Sequence, residues 1–456
     1  MAYEIKYRSD NEMKDSGIEW LGKIPKEWEV KKLKFVFSYF KGKNPDTFVD
    51  SGSGGIPYIT TEYLRKGSTD YFVDSYKGLV KVFDDDILLL WDGANAGEFF
   101  DGKEGVLGST FAKFNLISNN YKNYLKYCLR AFESYLKANT TGMGLPHVNS
   151  EILKSLLLNL PTNILDQQKI ANFLDIKTAE FDTIISKKEK LIKKLEEAKK
   201  SLISEVITGK VKIVDGELVD RKPEEMKDSG VEWLGMIPRD WEVKKLKHLA
   251  VLNGRIGFRG YSKEDLVDEP EGALTIGATQ VDENGNIDLT DPVYISWKKY
   301  YESPEIIIKQ YDILLVQRGS TTGKIGIVNI LPKEATINPS LIIIRSVQNI
   351  IHPKYLFYFL ISYYTDAYFN SIISTTAIPM ISQYQAMNTN ILLPSLLHQK
   401  TIIQYLDNAS NKIDSTITKT KQQITKLKEA KQSLISEAVT GKIDLRDWEI
   451  IETGGR

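Results

Sequence analysis

Cysteine and histidine are scarce in this 456-residue chain, which has a single cysteine, Cys128, and four histidines. One cysteine excludes an intrachain disulfide framework and is typical of a reducing compartment. The histidines (His147, His248, His352 and His398) lie far apart in the sequence, so no local spacing suggests a metal site. No apolar run reaches the ~18 residues that a membrane-spanning helix needs, and the opening residues show no secretion signal. We therefore expect a soluble, cytoplasmic protein with no membrane partner.

The chain also lacks an excess of charge of either sign, because Lys plus Arg and Asp plus Glu each total 60. Bulk charge therefore gives no sign of a nucleic-acid binder, and any phosphate-binding surface has to be a local arrangement. The hydrophobic fraction of 42% and the charged fraction of 26% are typical of a soluble globular protein. The length is sufficient for two or three domains.

No motif of an enzyme is complete. Residues 319–324 resemble a phosphate-binding loop, but the glycines are one residue too close together and Ile325 replaces the hydroxyl residue that would hold magnesium. Residues 338–341 share Asn-Pro with the adenine-methyltransferase motif but lack its second proline and its aromatic residue. The sequence therefore predicts a binding protein without a catalytic residue, metal site or cofactor of its own.

What the chain does contain is an internal repeat. Residues 13–36 recur as residues 226–249, and the two segments are identical at 18 of 24 positions. The segment 197–210 likewise recurs as 429–442. The two second copies lie farther apart in the chain than the two first copies, so the sequence between the repeated frames is longer in the second half, and it differs in content. We predict two globular parts with different surfaces, each followed by a long helix.

The two long segments are free of proline and rich in Leu, Ile, Lys and Glu, which predicts continuous helices over 163–211 and 395–445. Apolar residues recur in steps of four and three, which is the 3.5-residue period of a coiled coil. The predicted seam comprises Ile170, Leu174, Phe181, Ile184, Leu191, Leu195, Ala198 and Leu202 in the first helix and Ile402, Leu406, Ile413, Leu427, Ala430 and Leu434 in the second. Ile417 and Ile424 lie one step off this seam, so we expect local irregularity there. Burial of the two seams against each other, antiparallel, is favoured over two separately packed surface helices.

These patterns predict an α+β fold in which two mostly-β domains are joined by an antiparallel coiled coil, with a pseudo-twofold internal repeat. The predicted boundaries are 1–162 for the first domain, with a Trp-rich docking segment at 13–36, then 163–211 for the first helix, 212–225 for a mobile linker, 226–394 for the second domain, 395–445 for the second helix and 446–456 for a tail. Each domain is expected to contain one helix, over 121–138 in the first and 353–369 in the second.

The repeat also suggests what the protein binds. Nearly identical frames would dock the same partner twice, whereas different centres would bind two different ligands. Helices of about 44 residues span roughly 66 Å at 1.5 Å per residue, which is comparable to about two turns of DNA at roughly 34 Å per turn. Such dimensions suit an asymmetric, two-part target on a duplex.

The doubled motif set resembles the specificity subunit of type I restriction–modification systems. The resemblance covers nearly the whole chain and is carried by three motifs, each present twice: Trp-Leu-Gly-x-Ile-Pro-x-x-Trp, an Asp-Ile-Leu strand, and Leu-Ile-Ser-Glu-x-x-Thr-Gly-Lys at the end of each long helix. It implies two target-recognition domains, each reading half of a split site on double-stranded DNA. It also implies two modification subunits, which bring S-adenosylmethionine to methylate adenine N6, and restriction subunits that translocate and cut DNA. ATP and Mg²⁺ would then belong to the partners, and this chain would be non-catalytic.

The resemblance does not identify the base contacts, so candidates come from side-chain chemistry. Base reading needs donors and acceptors that reach the major groove, whereas lysines and backbone amides mostly position phosphates. The candidates are the loop residues Arg65, Asn95, Thr140, Thr141 and His147 in the first domain and Arg255, Arg259, Gln280, Arg318, Thr321, Lys324, Thr375, Thr376 and Gln383 in the second. The alternative for each is a solvated loop residue without a role in recognition.

Two rival functions remain open at this stage. A non-catalytic scaffold on a coiled-coil rod fits the balanced charge, and it would show neither a preference among duplexes nor a strong dependence on salt. A self-contained DNA-modifying enzyme would transfer methyl groups or cut DNA alone, and the incomplete motifs argue against it.

Overall fold

A computed structural model of the chain describes residues 5–17, 22–50, 54–142, 144–255, 260–373 and 379–449. The chain divides into two compact units: unit 1 takes in Met1–Lys188 and Gln422–Arg456, and unit 2 takes in Glu189–Lys421. Each long helix therefore contributes one part to each unit. Among the described residues, none of the helices combines the length and the apolar character needed to cross a membrane.

Unit 1 is built on a four-stranded antiparallel sheet flanked by short strand pairs and helices. Its strands are β1 (Met13–Asp15), β2 (Lys23–Pro25), β3 (Glu29–Lys32), β4 (Phe37–Lys41), β5 (Ile56–Pro57), β6 (Phe72–Val73), β7 (Lys81–Val82), β8 (Ile87–Leu90), β9 (Phe99–Asp101), β10 (Gly105–Val106), β11 (Phe111–Leu116) and β12 (Leu157–Leu160). Its helices are α1 (Thr61–Lys66), α2 (Lys122–Ala131), α3 (Glu133–Ala138), α4 (Ser150–Ser155) and the first part of α5 (Ile164–Ile207). The central sheet has the order β4-β11-β8-β9, and β12 pairs with β3.

Unit 2 repeats this plan and adds a second sheet. Its strands are β13 (Val211–Val214), β14 (Glu217–Asp220), β15 (Met226–Asp228), β16 (Met236–Pro238), β17 (Glu242–Lys245), β18 (Ala250–Gly254), β19 (Leu266–Val267), β20 (Gly272–Ile276), β21 (Tyr294–Ser296), β22 (Ile313–Val316), β23 (Ile325–Ile327), β24 (Ala335–Ile337), β25 (Leu341–Ser346) and β26 (Asn390–Leu393). Its helices are α6 (Trp297–Tyr301), α7 (Pro353–Leu360), α8 (Tyr363–Ile372), α9 (Gln383–Met387) and the first part of α10 (Leu396–Val439). The central sheet β18-β25-β22-β23 matches that of unit 1, and the added sheet has the order β19-β21-β20-β24.

The central strands β8 and β22 are apolar at every position because both of their faces are covered. In β8, Ile87 and Leu89 belong to the core that contains α2, whereas Leu88 and Leu90 belong to a second core on the opposite face. In β22, alternate residues are divided in the same way between two cores. Successive side chains of a strand point to opposite faces, so a strand buried on both sides reads as a continuous apolar run.

Within each unit, α5 and α10 pack side by side and run in opposite directions. In unit 1, Lys431 Nζ lies 2.7 Å from Asp182 Oδ1, and in unit 2, Lys199 Nζ lies 2.7 Å from Asp414 Oδ2. The residue number in α10 therefore falls as the number in α5 rises. The α+β fold class and the antiparallel pairing of the long helices are confirmed, and each helix is 44 residues long.

The seam between these helices is a regular heptad, but part of it lies one residue away from the predicted positions. The buried and half-buried positions are Ala171, Leu174, Thr178, Phe181, Ile185, Lys188, Ile192, Leu195, Lys199, Leu202 and Val206 in α5 and Ile403, Leu406, Ser410, Ile413, Ile417, Thr420, Ile424, Leu427, Lys431, Leu434 and Ala438 in α10. Ile417 and Ile424, expected to cause irregularity, are regular members of the seam.

Four predicted seam residues are exposed instead: Ile184, Leu191, Ala198 and Ala430. The other predicted positions, Ile170, Leu174, Phe181, Leu195, Leu202, Ile402, Leu406, Ile413, Leu427 and Leu434, are buried or half-buried. The predicted heptad positions are shifted because the pattern was started at Ile170 and Ile402. These two residues belong to the cores of the globular parts. Burial in the first turns of each helix is therefore set by the domain as well as by the partner helix.

The segment predicted as a mobile linker is folded. β13 and β14 pair antiparallel, with Val214 opposite Glu217 across the Asp215-Gly216 turn. Both turn residues have positive φ, 50° for Asp215 and 84° for Gly216, as a two-residue type I′ hairpin requires. The Asp-Gly pair between two short β-rich runs is a hairpin signal that the linker interpretation overlooked.

Each helix predicted inside the globular parts is two helices. Phe132 separates α2 from α3, and Ile361 and Ser362 separate α7 from α8. Ser362 has an extended conformation, and the following Tyr363 amide donates to Ser204 Oγ of α5 at 2.9 Å. Contact with the long helix thus accompanies the break in the second pair.

Each long helix is followed, two residues after its last residue, by a glycine that packs against a Trp-rich segment. Gly209 and Gly441 have φ values of 68° and 71°, and their backbone hydrogen bonds form Schellman motifs. A Cβ at Gly209 would lie 3.0 Å from Trp241, and one at Gly441 would lie 2.9 Å from Trp28. The end of α10 therefore docks in unit 1 and the end of α5 docks in unit 2, so each docking segment holds the helix from the other half of the sequence.

A buried glutamine fixes the start of each long helix. Gln167 Oε1 accepts a hydrogen bond from the Tyr121 amide at 2.8 Å, and its Nε2 donates to Pro161 O at 2.9 Å. Gln399 repeats both contacts in unit 2, with the His352 amide and Pro394 O, at the same distances. Because each glutamine satisfies buried backbone groups, it ties the long helix to the last strand and to the helix pair of its unit.

The corrected seam can be tested with two adjacent isoleucines of α5. Ile185 is 7% exposed and Ile184 is 43% exposed. We expect Ile185→Ala to lower the free energy of unfolding by about 2–3 kcal/mol, because it removes buried methylenes. Ile184→Ala is the matched control and should cost about 0.5 kcal/mol. Urea unfolding of both variants measures the difference. A larger loss of unfolding free energy for Ile184→Ala would show that Ile184, as the sequence pattern predicts, belongs to the seam.

Candidate nucleic-acid interface

In unit 1, two loops meet just beyond the end of β8. Asp92, which follows the strand, forms an isolated antiparallel bridge with His147. The Gly93 amide donates to Pro146 O at 2.9 Å on one side of the bridge, and the Val148 amide donates to Trp91 O at 2.9 Å on the other. The two loops therefore form a short two-stranded ribbon beyond the end of β8, an interior strand of the central sheet.

This ribbon displays polar side chains of several kinds. Asn95, Thr141 and His147 are exposed on the two loops. The Asp92 carboxylate lies 3.2 Å from Lys41 Nζ, and this ammonium lies 5.2 Å from the centre of the Trp91 ring. The ribbon thus presents amide, hydroxyl, imidazole and carboxylate groups in one place, with a lysine that offsets the negative charge.

Unit 2 has the same backbone frame with different side chains. Arg318 follows β22 and forms an isolated antiparallel bridge with Met380. The Gly319 amide donates to Pro379 O at 3.2 Å, and the Ile381 amide donates to Gln317 O at 2.8 Å. Asp92 and His147 of unit 1 therefore correspond to Arg318 and Met380 of unit 2.

Three candidates of the first domain, Asn95, Thr141 and His147, lie together on the ribbon. Thr140 adjoins them, and its hydroxyl donates to Lys137 O at 3.2 Å. Arg65 lies at the end of α1, with its guanidinium 2.7 Å from the carboxylate of Glu98, which ends the loop that carries Asn95. The structure thus concentrates four of the five candidates of unit 1 in one region.

In unit 2, Arg318 and Thr321 are exposed on the first loop of the ribbon. Gln383 begins α9, just after the second loop, and its Nε2 lies against Gly254 of β18. Lys324 lines a cleft of about 420 Å³ together with Lys200 of α5. Lys324 therefore borders a cleft beside α5, next to the loop that carries Thr321. Arg259, Thr375 and Thr376 lie outside the described residues.

Arg255 is buried within the fold, whereas Gln280 is half-buried in a local turn. Arg255 is only 5% exposed, and its guanidinium donates to Ile337 O and Thr336 Oγ1, both at 3.2 Å. Burial lowers the pKa of the Arg255 guanidinium below its ordinary value. Gln280 Oε1 accepts from the Gly277 amide at 2.7 Å within a short 3₁₀ turn. The expectation of a free loop side chain is corrected for Arg255, since β24 of the added sheet holds its guanidinium. A DNA contact by Gln280 stays a prediction.

Sequence reasoning did not select Lys41, Asp92, Met380 or Tyr384, which lie on or beside the ribbons. Met380 is 42% exposed and Tyr384, next to Gln383 on α9, is 77% exposed. A signal for Asp92 was present, because alignment of the two Asp-Ile-Leu strand motifs places Asp92 opposite Arg318, at the same position after the motif. Met380 gave no such signal, since its partner loop differs in sequence between the halves.

No group of at least three His, Cys, Asp or Glu side chains able to hold a metal ion occurs within the described ranges. Cys128 is buried, and burial raises the pKa of its thiol to about 12, so the thiol stays protonated near neutral pH.

The two halves of the chain, each with its ribbon, were compared with models of known protein families. The description of a family model, "Type I restriction modification DNA specificity domain", applies to residues 25–197 and again to residues 238–426. The chain therefore belongs to the family of specificity subunits of type I restriction–modification systems. Members of this family recognise DNA and are not catalytic.

Individual relatives agree with this membership. The type I restriction enzyme MjaVIII specificity subunit of Methanocaldococcus jannaschii is 32% identical over 450 residues, covering 97% of this chain and 98% of the relative. The EcoBI specificity subunit of Escherichia coli is 22% identical over 400 residues, covering 85% and 80%. A solved structure described under complex assembly and conformational transition of the type I R-M system has a TM-score of 0.62 at 15% identity. It covers 91% of this chain and 98% of its own, and it shows that the fold is shared.

The structural role of Arg255 is open to a direct test. We expect Arg255→Met to lower the free energy of unfolding by about 1–3 kcal/mol, because Ile337 O and Thr336 Oγ1 lose their donors in a buried place. Arg239→Met is the matched control, since Arg239 is exposed, and it should cost about 0.5 kcal/mol. Chemical unfolding measures both. A folded Arg255→Met protein with altered DNA sequence preference would contradict the structural assignment.

Proposed function

We propose that this subunit reads an asymmetric, two-part sequence on double-stranded DNA, with one part read by the ribbon of each unit. The observation that carries the proposal is the repeated frame, in which the bridge Asp92–His147 of unit 1 recurs as Arg318–Met380 in unit 2. The same backbone thus displays a different set of hydrogen-bonding groups in each unit. Because base edges are distinguished by such groups, two unlike ribbons favour two unlike half-sites.

The geometry of the ribbons supports a place in the major groove. That groove admits a two-stranded β-ribbon, and its edges carry a distinct pattern for each base pair. The balanced net charge of the chain argues that bulk attraction to phosphates is weak, so local contacts have to supply the affinity.

The repeated frames favour one kind of partner bound twice. Strands β3 and β17 have the same sequence, Glu-Val-Lys-Lys, and the same pattern of exposure. Exposed charged residues are not needed for packing, so their repetition is explained by a shared partner surface. We assign this surface to two modification subunits, with restriction subunits joining the complex. S-adenosylmethionine, ATP and Mg²⁺ are then held by those partners and not by this chain, and the complex acts in the cytoplasm.

The length of the helices supplies the second element of the proposal. Each helix has 44 residues, which corresponds to roughly 66 Å at 1.5 Å per residue. We infer that the length of the helices determines how many base pairs separate the two half-sites.

Exchange of one domain tests the proposal. Residues 37–160 begin with β4 and end with β12, so their replacement by the equivalent domain of another specificity subunit keeps β3 and both long helices. We expect methylome sequencing of a host that carries the exchanged subunit and its partners to show one new half-site, with the other half-site and the spacer unchanged.

The reciprocal exchange, of residues 250–393, serves as the control and should change only the other half-site. A change of both half-sites in either exchange would contradict the assignment of one half-site per unit. Methylation without sequence preference in the unmodified complex would contradict sequence reading altogether and favour a scaffold.

A further inference from the structure

The two bridge pairs, Asp92–His147 in unit 1 and Arg318–Met380 in unit 2, occupy equivalent backbone positions. In an antiparallel bridge, directly opposite residues carry Cβ atoms about 4.5–5.5 Å apart, so their side chains are neighbours on one face of the ribbon. Arg318 and Met380 are exposed in unit 2, and His147 is exposed in unit 1 beside Asp92. One backbone position is thus acidic in unit 1 and basic in unit 2.

We propose that the bridge pair is the specificity-determining pair of each unit, that Arg318 reads a guanine in one half-site, and that Asp92 reads a cytosine in the other. The inference rests on the proposed function, which it deepens by naming the bases. An arginine fork donates two hydrogen bonds to guanine O6 and N7, and a carboxylate accepts from the cytosine N4 amino group. The two bridge positions therefore demand opposite hydrogen-bonding groups from the base they face.

The neighbours of each residue fit these assignments. Met380 places a flexible, apolar thioether beside Arg318, which suits contact with a thymine methyl group adjoining the guanine. Asp92 is held by Lys41 at 3.2 Å, and this ammonium offsets the repulsion between the carboxylate and the DNA phosphates. His147 adds a ring nitrogen able to donate to the guanine paired with that cytosine.

Neither bridge residue is needed to complete the core. The frame around each bridge is made by backbone hydrogen bonds, such as Gly93 to Pro146 O in unit 1 and Gly319 to Pro379 O in unit 2. Substitution of the Arg318 or Asp92 side chain therefore leaves these hydrogen bonds in place, so the readers can be changed without loss of the ribbon.

The test uses the full chain in complex with its modification subunits and a pool of duplexes with randomised half-sites, read by sequencing of methylated products. We expect Arg318→Ala to relax one guanine position of one half-site, with discrimination there falling by roughly 5- to 150-fold. Arg318→Lys should retain part of that discrimination, because lysine lacks the bidentate fork. Asp92→Ala should relax a cytosine position in the other half-site.

Lys309→Ala, which removes an exposed cation of unit 2 outside the ribbon and outside the repeated docking segment, is the control and should leave the preferred sequence unchanged. The unfolding midpoint of each variant shows that a change in preference is not a loss of fold. The inference is overturned if Arg318→Ala leaves every position unchanged, relaxes a base other than guanine, or relaxes the same half-site as Asp92→Ala. Failure of the proposed function is distinguishable, because the unmodified complex would then show no preferred sequence in the same pool.

Discussion

The pairing of two 44-residue helices in opposite directions is the constraint on which the rest of this structure depends. Antiparallel packing brings the start of one helix beside the end of the other within each unit. Unit 1 therefore contains the end of α10, which docks at Gly441 on Trp28, and unit 2 contains the end of α5, which docks at Gly209 on Trp241. Neither half of the sequence holds all the parts of a unit, and this explains why the helix-end motif and the Trp-rich segment are repeated together.

The residues that are repeated in both halves and those that differ between the halves have different structural roles. Gln167 and Gln399 satisfy buried backbone groups in the same way, and their loss would leave those groups without partners at a cost of about 1–3 kcal/mol each. The ribbon side chains at Asp92 and Arg318 carry no such duty, since backbone bonds hold the ribbon. Within this chain, the residues that differ between the two ribbons are therefore free to change without loss of the contacts that the repeated glutamines make.

The sequence was sufficient for the repeat, the α+β class and the paired helices, because a long heptad pattern and a nearly identical repeated segment are strong local signals. It did not determine the phase of the seam, where Ile184 and Ile185 are adjacent apolar residues and only packing decides which one is buried. The sequence also did not distinguish the buried Arg255 from the exposed Arg318, since each arginine comes just after the end of a strand. Tertiary contacts with Thr336 and Ile337 hold the first, and the bridge to Met380 displays the second. Such contacts join residues far apart in the chain and leave no local pattern.

We propose that the paired helices set the number of base pairs between the two half-sites. Insertion of seven residues into both helices, after Lys188 and after Lys421, preserves the heptad phase and adds about 10 Å, or roughly three base pairs, to the separation. Methylome sequencing with this subunit should show both half-sites unchanged and a spacer longer by about that number of base pairs. An unchanged spacer, or a change in either half-site, would contradict the claim.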